Sequence, residues 1–381
     1  MKKLFKSLLL TLFCLVCTQF VFGQDTKKQD AKALCNKAVE LVDNGNPDKG
    51  IELLKLAVKL DPDEFMYPYE MAYAYVIKND YRQAIKILKS MTKREDCRDL
   101  VYQLMGNCYD MSGDPQKALD VYAQGIERFP ESGLLYLEQG VVRGMHGNFG
   151  GALDSFEQGI CVAPMFASNY YRAAQFFAYS SEVVWSMIYG EIFMNIQPVG
   201  ERNGEISGLL FNNYKEHIVF SGDSVEVDFS HLADVAESAD SLATAFNKLM
   251  NIMNPPFGPI YAAGIESAVT GEESVTLESL HRIRTKLIEY CLQDLDENTR
   301  RVSYDNPIVV PFLEYMRKVR DAGHLEAYNY WILHNGDKAG FGEWVGKNRQ
   351  KFNEFVSWFE RNKLEIPDAP IEITRLRLTT L

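Results

Sequence analysis

The chain of 381 residues lacks most of the signatures by which enzymes can be read from sequence. It contains no HExxH, no GxSxG, no Walker-type loop and no glycine-rich dinucleotide fingerprint. At the level of motif, that excludes zinc-dependent proteolysis, hydrolase nucleophile elbows and P-loop nucleotide chemistry. Six histidines are scattered at positions 146, 217, 231, 281, 324 and 334, and no two lie one helical turn apart. No cysteine pair has zinc spacing, so no metal and no other cofactor is expected. His324, Glu326, His334 and Asp337 come nearest to a cluster, but their two histidines are ten residues apart, which on a helix puts them on different faces. Positive charge is also short: 40 Lys and Arg against 52 Asp and Glu give a formal charge of −12. That balance argues against nucleic acid and anionic membrane surfaces as partners.

Lys2, Lys3 and Lys6 precede an apolar stretch from Leu8 to Phe22, and Val21 and Gly23 stand at the minus three and minus one positions of a cleavage site. Residues 1–23 therefore read as a secretory signal peptide cut after Gly23, and the expected location is periplasmic or extracellular. The stretch is short for a membrane span and is interrupted by Thr18 and Gln19, so no integral membrane segment is expected once it is removed. Cys14 and Cys17 lack the preceding small residue that lipidation requires. Loss of the three lysines takes the formal charge from −12 to −15. Cys35, Cys97, Cys108, Cys161 and Cys291 remain, an odd number, and the expectation is free, mostly buried thiols acting as small apolar residues.

What the chain does have is a period. Pro62, Pro130, Pro164 and Pro198 lie on a 34-residue lattice, with Asp96 in the slot that lacks a proline. Gly45, Asn79, Gly113, Gly147 and Ser181 form a second comb of the same period, 17 residues earlier. A repeat of this length signals stacked supersecondary units. The mid-unit Gly or Asn tolerates the left-handed conformation that ends one helix, and the proline stops the next. Small residues recur at Ala38, Ala72, Gly106, Gly140 and Ala174, and again at Gly50, Ala84, Ala118, Ala152 and Ser186. They are expected to let antiparallel helix backbones approach closely. Leu54, Leu88, Tyr122 and Phe156 are expected to fill the space between helix pairs.

This pattern resembles the tetratricopeptide repeat, which has an aromatic near position 4, small residues at 8, 20 and 27, a turn glycine near 15 and a proline at 32. Units 99–132 and 133–166 match best, through Tyr102, Gly106, Gly113, Ala118, Gly125 and Pro130, then Tyr136, Gly140, Gly147, Ala152, Gly159 and Pro164. Units 31–64 and 65–98 match well. Unit 167–200 keeps Tyr170, Ala174 and Pro198 but turns at Ser180-Ser181 and places the bulky Phe193 where a small residue belongs, as suits the end of an array.

The expected fold is all-α: a superhelical solenoid of about five such helix pairs over 31–200, a capping helix over 201–219, and an irregular helical domain over 220–381. Within the last, helices are expected over 231–253, 276–293, Asn306 to Gly323, 324–334 and 343–362. The final two are separated by Gly336, Gly340 and Gly342. Val225, Val227 and Phe229 alternate as a short strand would, and the tail from Ile366 is expected to pair with it. The aromatic residues crowded into the last 51 positions, Trp331, Trp344 and Trp358 among them, are expected to form a helical core rather than a stacking platform for sugars.

In repeats of this family the concave surface is lined by positions 2, 5, 9, 12 and 13 of each first helix. The resemblance thus implies a groove containing Tyr69, Tyr73, Gln103, Asn107, Leu137, Val141, Tyr171 and Gln175, with Ile77, Met145 and Tyr179 beside them. The set is aromatic and apolar with few amides and lacks the cations of a carboxylate clamp. The function expected is an exported, non-enzymatic scaffold holding a peptide or helix of a partner protein. The alternative is a glycan- or peptide-binding, even hydrolytic, C-terminal module carried by the repeats.

Overall fold

In the computed structural model, residues 25–222, 224–229, 257–297 and 308–367 are described. Helices dominate, seventeen among the described residues, accompanied by a single two-stranded sheet. Packing divides the chain into two units, one ending at Pro130 and the other beginning at Glu131.

The first unit holds α1 (25–43), α2 (Pro47–Leu60), α3 (Met66–Ile77), α4 (Tyr81–Met91), α5 (Asp99–Met111) and α6 (Pro115–Arg128). The second opens with α7 (Gly133–Met145), α8 (Phe149–Val162), α9 (Ala167–Phe177), α10 (Val183–Ile196) and α11 (Glu201–His217). Within each unit consecutive helices pack on one another, which is the helix-pair architecture the period implies.

The turns explain why the pairs form. Gly45, Asn79, Gly113 and Gly147 have φ of 77°, 58°, 87° and 81°, the left-handed region that glycine and asparagine tolerate best. Each is followed by a residue whose N–H reaches back to close the preceding helix: Asn46 to Leu41 (2.8 Å), Asp80 to Tyr75 (2.9 Å), Asp114 to Tyr109 (2.9 Å) and Asn148 to Arg143 (2.9 Å). Three of the same residues start the next helix. The Asp80, Asp114 and Asn148 side chains accept from the backbone N–H of Gln83, Lys117 and Gly151. One residue thus ends a helix with its backbone and begins another with its side chain. Ser181 departs from the comb. That turn contains no left-handed residue; the Ser180 hydroxyl donates to the Phe177 carbonyl at 2.9 Å and accepts from the Glu182 N–H at 3.0 Å.

The lattice prolines all lie just beyond helix ends, after α2, α6, α8 and α10. In the proline-free slot, Arg94 forks onto Asp96 at 2.7 and 2.8 Å and also donates to the Asp63 carbonyl at 2.5 Å. Arg128, one period later, donates to the Thr92 and Arg94 carbonyls at 2.5 and 3.0 Å. These arginines tie each repeat of the first unit to the one before it.

The small residues act differently from the expectation at two places. A Cβ on Gly106 would lie 2.1 Å from the Tyr122 ring, and one on Gly140 would lie 2.4 Å from the Phe156 ring. Space is left there for an aromatic side chain, not for a backbone. Close backbone approach does occur at Gly50, where a Cβ would come within 3.0 Å of the Ala38 carbonyl oxygen.

In the second unit α10 is buried on every side from Val183 to Asn195. A helix apolar all round is an enclosed one. This accounts for Phe193, which packs against Tyr171 at 5.3 Å instead of lying on an outer face. The apolar core extends from Ala152 to Ile366, so the fifth repeat and the C-terminal helices share one interior.

The predicted capping helix stops at His217. Ile218–Ser221 (β1) turns at Gly222 (φ 62°) and pairs antiparallel with Ser224–Val227 (β2), Ile218 opposite Val227. The strand expected at Val225–Phe229 is therefore present, paired with the residues just before it. The expected pairing with the tail beyond Ile366, and the helix expected over 231–253, lie outside the described residues.

Further helices are α12 (Phe257–Ala268), α13 (Leu277–Glu297), α14 (Val309–Asp321), α15 (Leu325–Ile332), α16 (Lys338–Lys347) and α17 (Arg349–Arg361). Helix α12 was not foreseen. Three helices, not two, follow Gly323, because Gly340 and Gly342 lie inside α16. The Asp337 carboxylate caps that helix by accepting from the Gly340 N–H at 2.9 Å. A good cap outweighs three glycines, Gly346 included, in so short a helix. Most of the C-terminal aromatics are core, as expected: Tyr330 stacks on Trp344 at 4.4 Å, Trp331 meets Phe359 at 5.0 Å, and Phe355 is buried beneath them, whereas Trp358 stays half-buried at the surface.

Candidate functional site

The residues expected to line a groove sit on the first helices of their repeats, α3 and α5 in the first unit and α7 and α9 in the second. In the first unit, Tyr69 and Tyr73 project from α3, and Gln103 and Asn107 from α5. Tyr69 is half-buried, stacked on Phe65 at 5.9 Å; burial, then the Glu70 charge, push its hydroxyl up to about 12. Tyr73 is exposed. Asn107 is engaged within the fold, its Oδ1 accepting from the Tyr122 hydroxyl. A cleft of about 350 Å³ between α1 and α3 is lined by Lys32, Asn36, Glu64 and Glu70. Burial and the neighbouring Asp43 raise the Glu70 carboxyl above its ordinary range, and burial with Glu70 pushes the Cys35 thiol up to about 11. Two carboxylates beside one lysine make a poor receptor for a peptide's terminal carboxylate.

In the second unit, Leu137 and Val141 on α7 pack partly against the core. Tyr171 is buried: its hydroxyl donates to the Glu205 carboxylate of α11, and the Arg202 guanidinium lies 4.9 Å from its ring. Helix α11 therefore takes up much of the surface the fifth repeat would otherwise offer. Gln175 remains at the edge of an opening, its Oε1 accepting from Arg172 at 3.1 Å. That opening is a groove of about 640 Å³ between α8, α9 and α11. Its walls are Phe149, Leu153, Phe176, Tyr179, Ile206 and Leu209, with Gln175, Ser180 and Glu205 as polar groups. The Phe176 ring is held in place by Phe156 at 5.3 Å, and a Cβ on Gly144 would lie only 2.5 Å from it.

One regularity was only partly legible beforehand. The end of four successive first helices carries a large apolar side chain facing solvent: Ile77 (44% exposed) and Met111 (56%) in the first unit, Met145 (72%) and Tyr179 (92%) in the second. They recur at the 34-residue period. Met111 shares position 13 of its repeat with Ile77, Met145 and Tyr179, whereas Phe149 opens a second helix, outside the first-helix positions to which the resemblance points.

Other chemistry-bearing groups are used internally. His324 packs on Trp358 at 5.2 Å, Glu326 accepts from Trp344 Nε1 (3.0 Å) and from Lys351, His334 lies 2.7 Å from the Trp331 carbonyl, and Asp337 is the cap already described. These residues do not converge, and among the described residues no group of His, Cys, Asp and Glu could hold a metal. The five cysteines beyond residue 23 are buried and free.

The most concentrated polar cluster is an interior one. Arg284 of α13 donates to both carboxylate oxygens of Glu191 on α10, at 2.6 and 2.9 Å, to Tyr214 Oη at 3.1 Å and to Asn329 Oδ1 at 2.9 Å. Tyr328 Oη donates to Glu191 at 3.1 Å and accepts from Asn195 at 2.8 Å, while Tyr261 meets Tyr214 at 3.1 Å. Burial opposes the charge on Arg284, but the Glu191 carboxylate overrides it and holds the guanidinium firmly protonated. Burial raises the hydroxyls of Tyr214, Tyr261 and Tyr328. Every member is buried, so the cluster joins α10, α11, α12, α13 and α15 and offers nothing to a substrate.

With this geometry in view, residues 31–64 match the family model of the tetratricopeptide repeat. That stretch carries a tetratricopeptide repeat. No curated protein matches the chain. Solved repeat proteins resemble it distantly. TTC0263, a repeat protein of Thermus thermophilus, is 16% identical over 47% of this chain and 98% of its own, with a TM-score of 0.39. A tetratricopeptide repeat protein from Parabacteroides merdae is 14% identical over 81% of this chain and 99% of its own, TM-score 0.37. YrrB, described as having an unusual peptide-binding site, is 19% identical over 48% of this chain and 94% of its own, TM-score 0.32.

Proposed function

We propose that the protein is a non-catalytic interaction scaffold, exported from the cytoplasm, which holds a peptide or helix of a partner protein against the first-helix side of its repeats. The observation that carries this reading is the outward apolar residue at or just past the end of the first helices, Ile77 and Met111 in the first unit and, taken by itself, Met145 and Tyr179 in the second. Large side chains at 44 to 92% exposure, recurring at one repeat position, keep apolar area in water that only an external contact would remove. In the second unit the same position borders the groove walled by Phe149, Phe176 and Leu209. Such walls suit the apolar side of an amphipathic helix or of an extended segment. The filled aromatic interior of the C-terminal helices speaks against a hydrolytic module there.

Site-specific photocrosslinking tests the reading. Benzoylphenylalanine at Met145 or Tyr179 should give one discrete protein adduct in native envelopes, and the same probe at Lys55, on the exposed face of α2, should not. Met145→Glu should abolish the adduct formed at Tyr179. Adducts of equal yield at all three positions would end the proposal. Tyr171 makes a poor probe, because its ring is buried beside Arg202 and its hydroxyl is engaged by Glu205. Export is checked separately by sequencing the amino terminus of the mature protein, expected to begin at Gln24.

A further inference from the structure

A second opening lies elsewhere in the second unit, against the outer face of α17. It is a cleft of about 780 Å³ with Trp358 and His324 on one side and Arg349, Asn353, Ser357 and Arg361 along the helix. From this lining we infer that the protein binds an acidic saccharide, one bearing carboxylate or sulfate groups, at the α17 face.

Trp358 is half-buried and held against the core by Tyr315 at 6.3 Å and His324 at 5.2 Å, so its indole is a fixed platform. A fixed aromatic face is what the apolar C–H side of a pyranose ring stacks on. Around it the polar groups are planar amides and guanidinium groups plus one hydroxyl, the donors that match adjacent sugar hydroxyls in pairs. Most are unspent. Arg349, Asn353 and the Ser357 hydroxyl have no partner among the described residues, and Arg361 uses only Nε, on the Ser357 carbonyl at 2.9 Å. Charge then narrows the class. The protein carries a net −12, yet this cleft sets two guanidinium groups against a single carboxylate, Glu354, which is itself engaged by Gln350 at 2.9 Å. A locally positive patch on an acidic protein favours an anionic ligand, and arginine forks bind carboxylate and sulfate oxygens in pairs.

Binding of trigalacturonate, a sulfated heparin hexasaccharide and neutral galactotriose to the full mature protein tests this by calorimetry. The expected result is that at least one acidic probe binds, with affinity falling as salt rises, and that galactotriose binds at least tenfold more weakly. Arg349→Gln and Arg361→Gln, both on an exposed face, should each weaken the acidic probe by about tenfold or more, without changing the melting temperature. Trp358→Phe, which keeps a ring on the core, should weaken it further. Trigalacturonate preference would assign carboxylate sugars and heparin preference sulfated ones. No binding at millimolar concentration, equal binding of the neutral probe, or affinity indifferent to both arginine changes would overturn the assignment. Because the site shares no lining residue with the repeat groove, Met145→Glu should leave saccharide binding unaltered.

Discussion

Replacing Arg284 by methionine is the sharpest test of how the second unit is held together. The guanidinium is 1% exposed and its partner Glu191 2%, so the substitution strands a carboxylate in the interior with the Tyr328 hydroxyl as its remaining charge-stabilising donor. Removing one member of a buried, hydrogen-bonded pair costs about 3–5 kcal/mol, because the orphaned charge keeps its desolvation penalty and loses the attraction that offset it. At roughly 2–4 °C per kcal/mol for a domain of this size, the melting transition should fall by about 6–20 °C. The second half of the experiment separates charge from packing. In Arg284→Met combined with Glu191→Leu no ion is left buried, so most of the loss should return. Thermal melts followed by circular dichroism give the size of the effect, and hydrogen exchange at the amides of α10 and α13 shows whether it is confined to the second unit. A melting point for Arg284→Met within about 2 °C of the parent, less than 1 kcal/mol, would refute the reasoning. So would a double variant no more stable than the single one.

Two further outcomes follow from local geometry. Gly106→Ala drives a methyl group into the Tyr122 ring, which is fully buried and cannot move aside, so a loss of about 1–3 kcal/mol is expected in urea melts. Combining it with Tyr122→Leu should recover part of the loss, and an unchanged midpoint in Gly106→Ala would show that the contact is not tight. The second concerns pH. Burial lowers the pKa of His281, beside Glu326, Arg282 and Lys351, below its ordinary 6.5, and burial lowers His324 likewise. Below pH 6.5 the unfolded chain therefore takes up protons that the folded chain refuses, and stability should decline as pH falls from about 7 towards 5. The carboxylates lowered by arginine partners, Glu272 by Arg282 and Asp96 by Arg94, add their own loss only further down, below their unfolded values of 4.5 and 3.8. Replacing both histidines by glutamine should flatten the slope between about pH 7 and 5, and a slope unaltered in that variant would assign it to other groups.

The groove was less legible than the repeats. Position within a repeat says which helix a residue belongs to and roughly which way it points, so Tyr73, Ile77, Met145 and Tyr179 could be placed on the first-helix side before any coordinates. It does not say what comes to rest on that side. Tyr171 occupies the same kind of position as Tyr69, yet it is buried because α11 supplies Glu205 and Arg202 to it. The C-terminal helices illustrate the same gap. Gly340 and Gly342 look like breaks in a linear reading, and a cap from Asp337 makes them interior helical residues.

By itself the sequence determined the helix pairs, because their information is local. A left-handed glycine or asparagine, the capping residue beside it and a proline 17 residues on act within a few bonds of where they stand. The burial of the five cysteines followed in the same way, from their places on the apolar faces of those helices. Only tertiary structure decided which apolar faces stay in water, that the fifth repeat shares its interior with the C-terminal helices, and that Arg284 finds Glu191 from 93 positions away. Those outcomes depend on which surfaces meet across long stretches of chain, and a 34-residue period carries no record of that.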